Sequence, residues 1–497
     1  MAGSRGPRDR RMEATNYTHR SMRSSRHSTR STTRSTQSLW VRTMIGAALL
    51  SAVTVVPAVS SFSPATVSAD HVSSQMGAGG EYHSLAPARI YDSRPATSVN
   101  EPAPAPKSAT PTQPTFDIRL RGVGGVPVND ADVLAVVVNI TVTEPTAAGW
   151  LNAYGAGESG GLASIVNFTA GQTVPNLSIV RPGANGDLTI KLFSTSASGS
   201  AHVVVDVFGW FSKTAFHSDT DPGARLVPIA PGRILDTREA GGAFGAGEQR
   251  ALPIRGATLA TGERLDAGAD LIGVVLNVTG INQEPASTGT FLSVVPELAP
   301  GTAPSTSNVN LSRGQIKPNM VFVPVGADGS VRLFNHAGAT HVAVDVVGYL
   351  TTKDVGERAG RVVPLAAPYR VFDTRQAQWQ SVALGPGQAE DWSFDDFVTS
   401  VTVEGSWLGP QDAVIGNLTS AELKRQVATV PVSSFLTVYP TDQTRPVASN
   451  LNMVEGAPVP NLAIMKYGPS STVRVFNLQG FNHYLFDASA VVLGNDP

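Results

Sequence analysis

The chain has no cysteine among its 497 residues. That excludes disulfides, thiolate metal centres, a cysteine nucleophile and a lipidated cysteine together. Charge is also scarce: Asp, Glu, Lys and Arg make up 15% of the chain, against roughly 25% in ordinary soluble domains. The nine histidines include no His-Glu-x-x-His and no tight cluster, His336 and His341 being the nearest to one. No metal site and no cofactor are therefore expected. Asp219 and Asp221 lack the loop pattern of a calcium site. One long apolar run exists, Met44–Val59, and Pro57 interrupts it. It falls short of the ~20 residues a spanning helix needs. No second run follows Leu350 and no Leu-Pro-x-Thr-Gly ending closes the chain, so any attachment to a cell is expected to be non-covalent.

What is abundant is 48 Gly and 35 Pro beside many Val and Thr, with 41% hydrophobic residues overall. Such a composition gives short strands joined by turns, and the length suggests about three domains. The expected fold class is all-β.

Ten arginines and only Asp9 and Glu13 lie in Met1–Arg42. Of the 37 basic and 39 acidic residues, that leaves 27 and 37 for the rest, a net of −10. The basic stretch, the apolar run and the small residues Val67, Ser68 and Ala69 read as an export signal over 1–69, cleaved before Asp70. The acidic remainder argues against nucleic acid as a partner. With the signal cleaved, no membrane contact is expected, and the location is secreted or extracellular.

From there on, one pattern occurs three times. "APARIYDSR", "APGRILDTR" and "APYRVFDTR" supply Arg89, Asp92 and Arg94, then Arg233, Asp236 and Arg238, then Arg370, Asp373 and Arg375. Each is followed by an Asn-x-Thr strand (Asn139, Asn277, Asn417), a Pro-Asn turn (Asn176, Asn319, Asn461) and a closing strand with His and Asp four apart. Those pairs are His202 and Asp206, His341 and Asp345, His483 and Asp487. Repetition on this scale means homologous domains, with bounds 81–213, 225–350 and 360–495. Each is expected to be a sandwich-like domain with Greek-key or jelly-roll connections. Short polar joints, including Thr214 to Arg225, suggest three beads of limited freedom. The segment Pro95 to Pro114 is expected to be an extended, exposed loop.

The Pro-x-Arg-x-x-Asp-[Ser/Thr]-Arg opening, the central Asn-x-Thr and the His-x-x-x-Asp closing motif resemble the repeat of exported actinobacterial proteins. That family has no established activity, so the resemblance implies export and leaves function to the residues. Repeat three departs from the pattern: Gly494 lies seven residues after Asp487 where the other repeats place a glycine after three, and Ala457 stands where they have Gln172 and Gln315. An altered edge is expected there, as suits a terminal unit.

Bracketing positions for Arg and Asp suggest that opening and closing strands lie side by side, with Arg233 or Arg238 forked onto Asp345 and equivalent pairs in the other repeats. The asparagines read as amides satisfying turn backbone groups from a strand face, in preference to glycan acceptors. "GESGG" around Ser159 formally matches a nucleophile elbow, yet no helical pattern follows it and repeats two and three do not preserve it. Trp150, Trp379, Trp392 and Trp407 do not recur between repeats.

Three equal polar sets favour structure or multivalent binding over chemistry. The chain therefore reads as a non-catalytic, extracellular structural or adhesive protein, with cell-wall polysaccharide or a surface protein as partner. The alternative is a secreted hydrolase using one Arg/Asp/His constellation. Packing around a pseudo-threefold axis is a further arrangement the sequence permits.

Overall fold

The computed structural model describes residues 78–495, except 130, 131, 162, 214–222, 380, 404, 405 and 428. The leader, its cleavage point and the joint carrying Asp219 and Asp221 lie outside the described residues. Repeat one comprises β1 (Tyr82–Asp92), β2 (Lys107–Ser108), β3 (Thr115–Arg119), β4 (Val133–Thr143), β5 (Gly149–Gly155), β6 (Val166–Phe168), β7 (Val174–Val180), β8 (Asp187–Ser194) and β9 (Ser200–Ser212). Repeat two comprises β10 (Arg225–Asp236), β11 (Gln249–Pro253), β12 (Leu271–Ile281), β13 (Thr290–Val295), β14 (Val309–Leu311), β15 (Ile316–Pro324), β16 (Ser330–Asn335) and β17 (His341–Thr351). Repeat three comprises β18 (Val362–Asp373), β19 (Ala389–Ser393), the short helix α1 (Asp395–Ser400), β20 (Thr402–Val403), β21 (Ser406–Trp407), β22 (Gln411–Lys424), β23 (Ser433–Pro440), β24 (Leu451–Val454), β25 (Val459–Lys466), β26 (Thr472–Asn477) and β27 (Phe481–Leu493).

The fold is all-β, as expected. Each repeat contributes two antiparallel sheets. Their strand orders are β1-β9-β4-β7 and β3-β8-β5-β6, then β10-β17-β12-β15 and β11-β16-β13-β14, then β18-β27-β22-β25 and β19-β26-β23-β24. The chain crosses repeatedly between the two sheets of a repeat, which brings opening and closing strands together. Strand β7 lies against β14, β15 against β24 and β25 against β6. Each repeat thus meets the next, and six four-stranded blades close into a ring arranged as a six-bladed β-propeller.

This ring corrects the picture of three beads. Within each repeat the blade pair shares a core, such as Val136, Val138, Ile140, Leu151, Leu188 and Ile190 in repeat one. A further core belongs to no single repeat: Leu134, Val137, Phe211, Val275, Phe322, Val347, Ile415, Ile464 and Val492 pack together at the centre. The inner strands are buried on both faces, as β4 is along its whole length. One face meets the partner blade and the other the centre, so the repeats from Ala78 onward form one compact body.

Turn chemistry follows the sequence. The motif prolines Pro87, Pro231 and Pro368 fall where β1, β10 and β18 slip register against their neighbours. These are edge strands, where a missing N–H breaks no ladder. Gly171, Gly314 and Gly456 precede the Pro-Asn strands with φ of 74°, 82° and 116°, a region other residues rarely enter. The altered edge expected in repeat three is not seen. Ala490 simply takes the glycine's place, paired with Pro364 and Ile415, and the blade keeps its order. The Pro95 to Pro114 loop is mostly exposed, but it anchors itself through β2 on β9 and through buried Ala109.

At one end of the central axis the three repeat starts meet. Gly80 pairs with Val362, Tyr82 with Ala224, and Leu226 N–H donates to the Gly360 carbonyl. Arg225 and Arg361 both reach Glu81, at 3.2 and 2.9 Å. Arg225 begins β10, while Glu81 and Arg361 immediately precede β1 and β18, so one acid in repeat one bridges the arginines of the other two.

Repeat two expressed alone (225–350) would expose Leu226, Val275, Met320, Phe322, Val347 and Leu350, an apolar patch that soluble monomers rarely carry. It is expected to self-associate in sedimentation. A monomer that unfolds cooperatively at the temperature of the whole chain would contradict a shared centre.

Candidate functional site

The recurring polar residues assemble identically in all three repeats. In the sheet register, Arg89 lies opposite Asp206 and Asp206 opposite Asn139. The equivalent rows are Arg233, Asp345, Asn277 and Arg370, Asp487, Asn417. Arg89 Nε donates to Asp206 Oδ1 at 2.9 Å and Nη2 to Oδ2 at 3.3 Å. Arg233 makes the same fork on Asp345 at 2.5 and 3.3 Å, and Arg370 on Asp487. The third guanidinium nitrogen of each reaches back to Asp92, Asp236 or Asp373 at 3.3, 2.6 and 2.8 Å. Those opening aspartates are forked in turn by Arg94, Arg238 and Arg375. Of the two arginines considered for Asp345, Arg233 takes it, because Arg238 is held by Asp236.

Burial makes these chains strong and sensitive. Asp206, Asp345 and Asp487 are 1–2% exposed, and burial pushes all three above the ordinary carboxylate range while their arginines pull them back. Burial alone would also raise Asp92, Asp236 and Asp373. Hydrogen bonds from Arg94, Arg238 and Arg375 outweigh it and hold them low, Asp373 at about 2.

The hydroxyl and the histidine of the motifs belong to each other. Ser93, Thr237 and Thr374 pair through Oγ with Nδ1 of His202, His341 and His483 at 3.0, 2.9 and 3.2 Å. Each hydroxyl also accepts the backbone N–H one residue beyond its histidine. His341 Nε2 stands 3.3 Å from Glu284, so a Thr-His-Glu string exists in repeat two. The hydroxyl residues are at most 1% exposed.

The asparagines do something the sequence reading did not foresee. They are buried and reach across repeats instead of serving their own turns alone. Asn319 donates to Asn139 Oδ1, Asn461 to Asn277 and Asn176 to Asn417, each at 2.9 Å. The accepting asparagines donate onward to backbone carbonyls of the same neighbour: Asn139 to Ser307, Asn277 to Ser449 and Asn417 to Ser164. Six amides thus close a threefold ring between the apolar centre and the far end of the axis. Asp345 joins it by accepting the Ser449 N–H. The asparagines of these Asn-x-Thr sites are buried strand positions.

Crevices open between repeats beside the clasps. The one between repeats two and three, about 400 Å³, is bordered by Arg238, Thr279, Phe435, Arg445, Val447 and Asn452. That between repeats one and two, about 200 Å³, has the equivalent Arg94, Thr141, Phe291 and Asn310. At the third junction a cavity of about 40 Å³ remains, lined by Asn176, Leu365 and Asn417 among others. The aromatic position does recur, as Trp150, Phe291 and Phe435, all half-buried. Each sits opposite an asparagine of its own blade, with a phenylalanine ring of the same blade 5.2–6.3 Å away between centroids. Counting tryptophans alone concealed it, because two repeats carry Phe.

Ser159 is exposed in a turn after β5 with no helix behind it, and the adjacent Glu158 pairs with Arg181. Among the described residues no three His, Asp or Glu side chains are placed to hold a metal, and no helix is long and apolar enough to cross a membrane.

No protein-family model and no curated protein matches the chain. Solved structures similar to it include the N-terminal CBM22-1-CBM22-2 tandem domain from Paenibacillus barcinonensis Xyn10C, at 15% identity over 44% of this chain and 79% of that one, TM-score 0.14. Another is a triple jelly-roll protein of an archaeal virus turret, at 10% identity over 83% and 90%, TM-score 0.16. A third is from Sulfolobus Turreted Icosahedral Virus, at 10% identity over 77% and 85%, TM-score 0.13. Scores this low carry no weight for arrangement or role.

Replacing Asp345 by Ala strands Arg233 and the Ser449 N–H, at an expected cost of about 3–5 kcal/mol in denaturant unfolding; an unchanged midpoint would refute the clasp. Asp373 titrates at about 2 folded against 3.8 ordinarily. The stability it adds is full above the unfolded value and is lost as pH falls through 3.8 toward 2. Asp373→Asn should therefore lose less stability than the parent chain over that window, and a parallel loss would contradict the assignment.

Proposed function

We propose that the protein is a non-catalytic, exported structural or adhesive module that binds cell-wall polysaccharide in the crevices between its repeats. The observation that carries this reading is the consumption of the repeated Arg, Asp, Ser/Thr and His by one another. In each set the aspartates and the hydroxyl are buried and every member bonds another member, which suits scaffolding. No second repeat is relieved of the pattern, as it would be if one copy did chemistry for the chain.

The crevices suit a sugar in kind. Each of the two larger ones combines a half-buried aromatic face for stacking with an arginine and an asparagine at its border. Arg238 is 52% exposed despite its bond to Asp236, and Arg445 lies over the Phe476 ring. Because the crevices differ in size, the junctions are unequal sites. Avidity then comes from two principal grooves held at fixed spacing in one rigid body.

The test is binding of the chain from Asp70 to Pro497 to purified cell walls and their isolated polysaccharides. Phe435→Ala with Arg445→Ala should reduce binding at least tenfold, and Phe291→Ala should reduce it further when added, with melting temperature monitored. Unchanged binding in the combined variant, or release of reducing sugar that depends on His341, would overturn the reading.

A further inference from the structure

At the end of the axis opposite Glu81, beyond the asparagine ring, the starts of the three Pro-Asn strands β7, β15 and β25 converge on a cavity of about 140 Å³. Its walls are apolar and threefold: Pro175, Pro318 and Pro460, with Val174, Val309, Val454 and Val459. Its polar groups break that symmetry. Where repeats one and three have Val174 and Val459, repeat two has Lys317; where one and two have Gln172 and Gln315, repeat three has Ala457. The lysine is half-buried and its Nζ donates to the Thr173 carbonyl of repeat one at 3.2 Å. The two glutamines accept backbone N–H groups of Thr169 and Ser312 through Oε1, so Nε2 is what each can offer to the cavity. Among the described residues no other titratable side chain lines it.

An ammonium in an apolar pocket without a carboxylate is unfavourable. Burial pushes Lys317 down to about 8. Valine serves the same position in the two other repeats, so the fold does not require a lysine there. Residues that break a local rule without structural gain mark functional positions.

We infer that this axial pocket binds a short-chain monocarboxylate, its carboxylate held by Lys317 and the amides of Gln172 and Gln315, its hydrocarbon tail against the prolines and valines. One cation against apolar walls matches one negative charge on an apolar body and disfavours phosphate dianions. The volume equals about four or five waters, which suits a chain of a few carbons. This cavity adjoins the crevice between repeats two and three through Ile316, Asn452 and Val454, but its proposed ligand does not depend on the crevice's role.

The experiment is calorimetric and NMR titration of the full chain with sodium butyrate, and with butyramide as its uncharged counterpart. Butyrate is expected to saturate in the millimolar range, a reach typical of about six heavy atoms, and butyramide not to bind measurably. Binding should weaken about tenfold per pH unit above pH 8 as the amine loses its proton. Lys317→Val should abolish binding while raising the melting temperature, most at pH 7 and least above pH 10.5, because the folded amine has the lower affinity for protons. Equal binding by Lys317→Val, equal binding of butyramide, or no saturable butyrate binding to the parent chain would each overturn the assignment.

Discussion

A strand buried on both faces cannot leave an amide on either without a partner, and that constraint organises this molecule. The inner strands carry valine toward their own partner blade and, toward the centre, apolar side chains that give way to Asn139, Asn277 and Asn417. Those asparagines are buried, at most 8% exposed. Their partners come from the next repeat, and each bond made to a neighbour fixes one repeat's height and rotation against another. A buried hydrogen bond contributes about 0.5–1.5 kcal/mol net, and an orphaned partner costs about 1–3. The apolar centre supplies attraction and the amide ring supplies register.

The Arg-Asp chains extend the same logic outward. The opening strand is an edge strand interrupted at proline, and little backbone pairing holds it where the register slips. The guanidinium fork crosses to the closing strand at that point, and the hydroxyl-histidine pair secures the next turn. Because Asp345 also accepts a backbone N–H from repeat three, local clasp and ring closure are coupled there. The ring is imperfect at the same junction. Leu177 and Leu462 N–H donate to asparagines of a neighbouring repeat, whereas Met320 N–H bonds its own Asn319, and Asn461 Oδ1 lacks a partner among the described residues. The crevice of about 400 Å³ opens at this junction.

Much of this was legible in the residues. Three homologous units, their strand-rich character and the side-by-side placement of opening and closing strands follow from motif spacing and period-two alternation. An arginine fork on Asp345 was readable because arginines and a carboxylate bracketed each unit, but which of Arg233 and Arg238 makes it was not. The closure into six blades was not, because alternating polar and apolar residues ordinarily signal a wetted face; here the polar positions of β4, β12 and β22 meet asparagines of another repeat. No local pattern tells an amide that serves its own turn from one that serves a distant repeat, as Asn319 serves Asn139. The cavity at Lys317 was hidden for a related reason. A lone lysine beside a turn reads as solvated until three strand starts are seen to converge on it.

Whether the three repeats are one cooperative body is the claim on which the rest stands. Differential scanning calorimetry of the chain from Asp70 tests it directly. A shared centre closed by the amide ring predicts one transition whose calorimetric and van't Hoff enthalpies agree for the whole mass. Three separable transitions, or a calorimetric enthalpy about three times the van't Hoff value, would show independent domains and contradict the account.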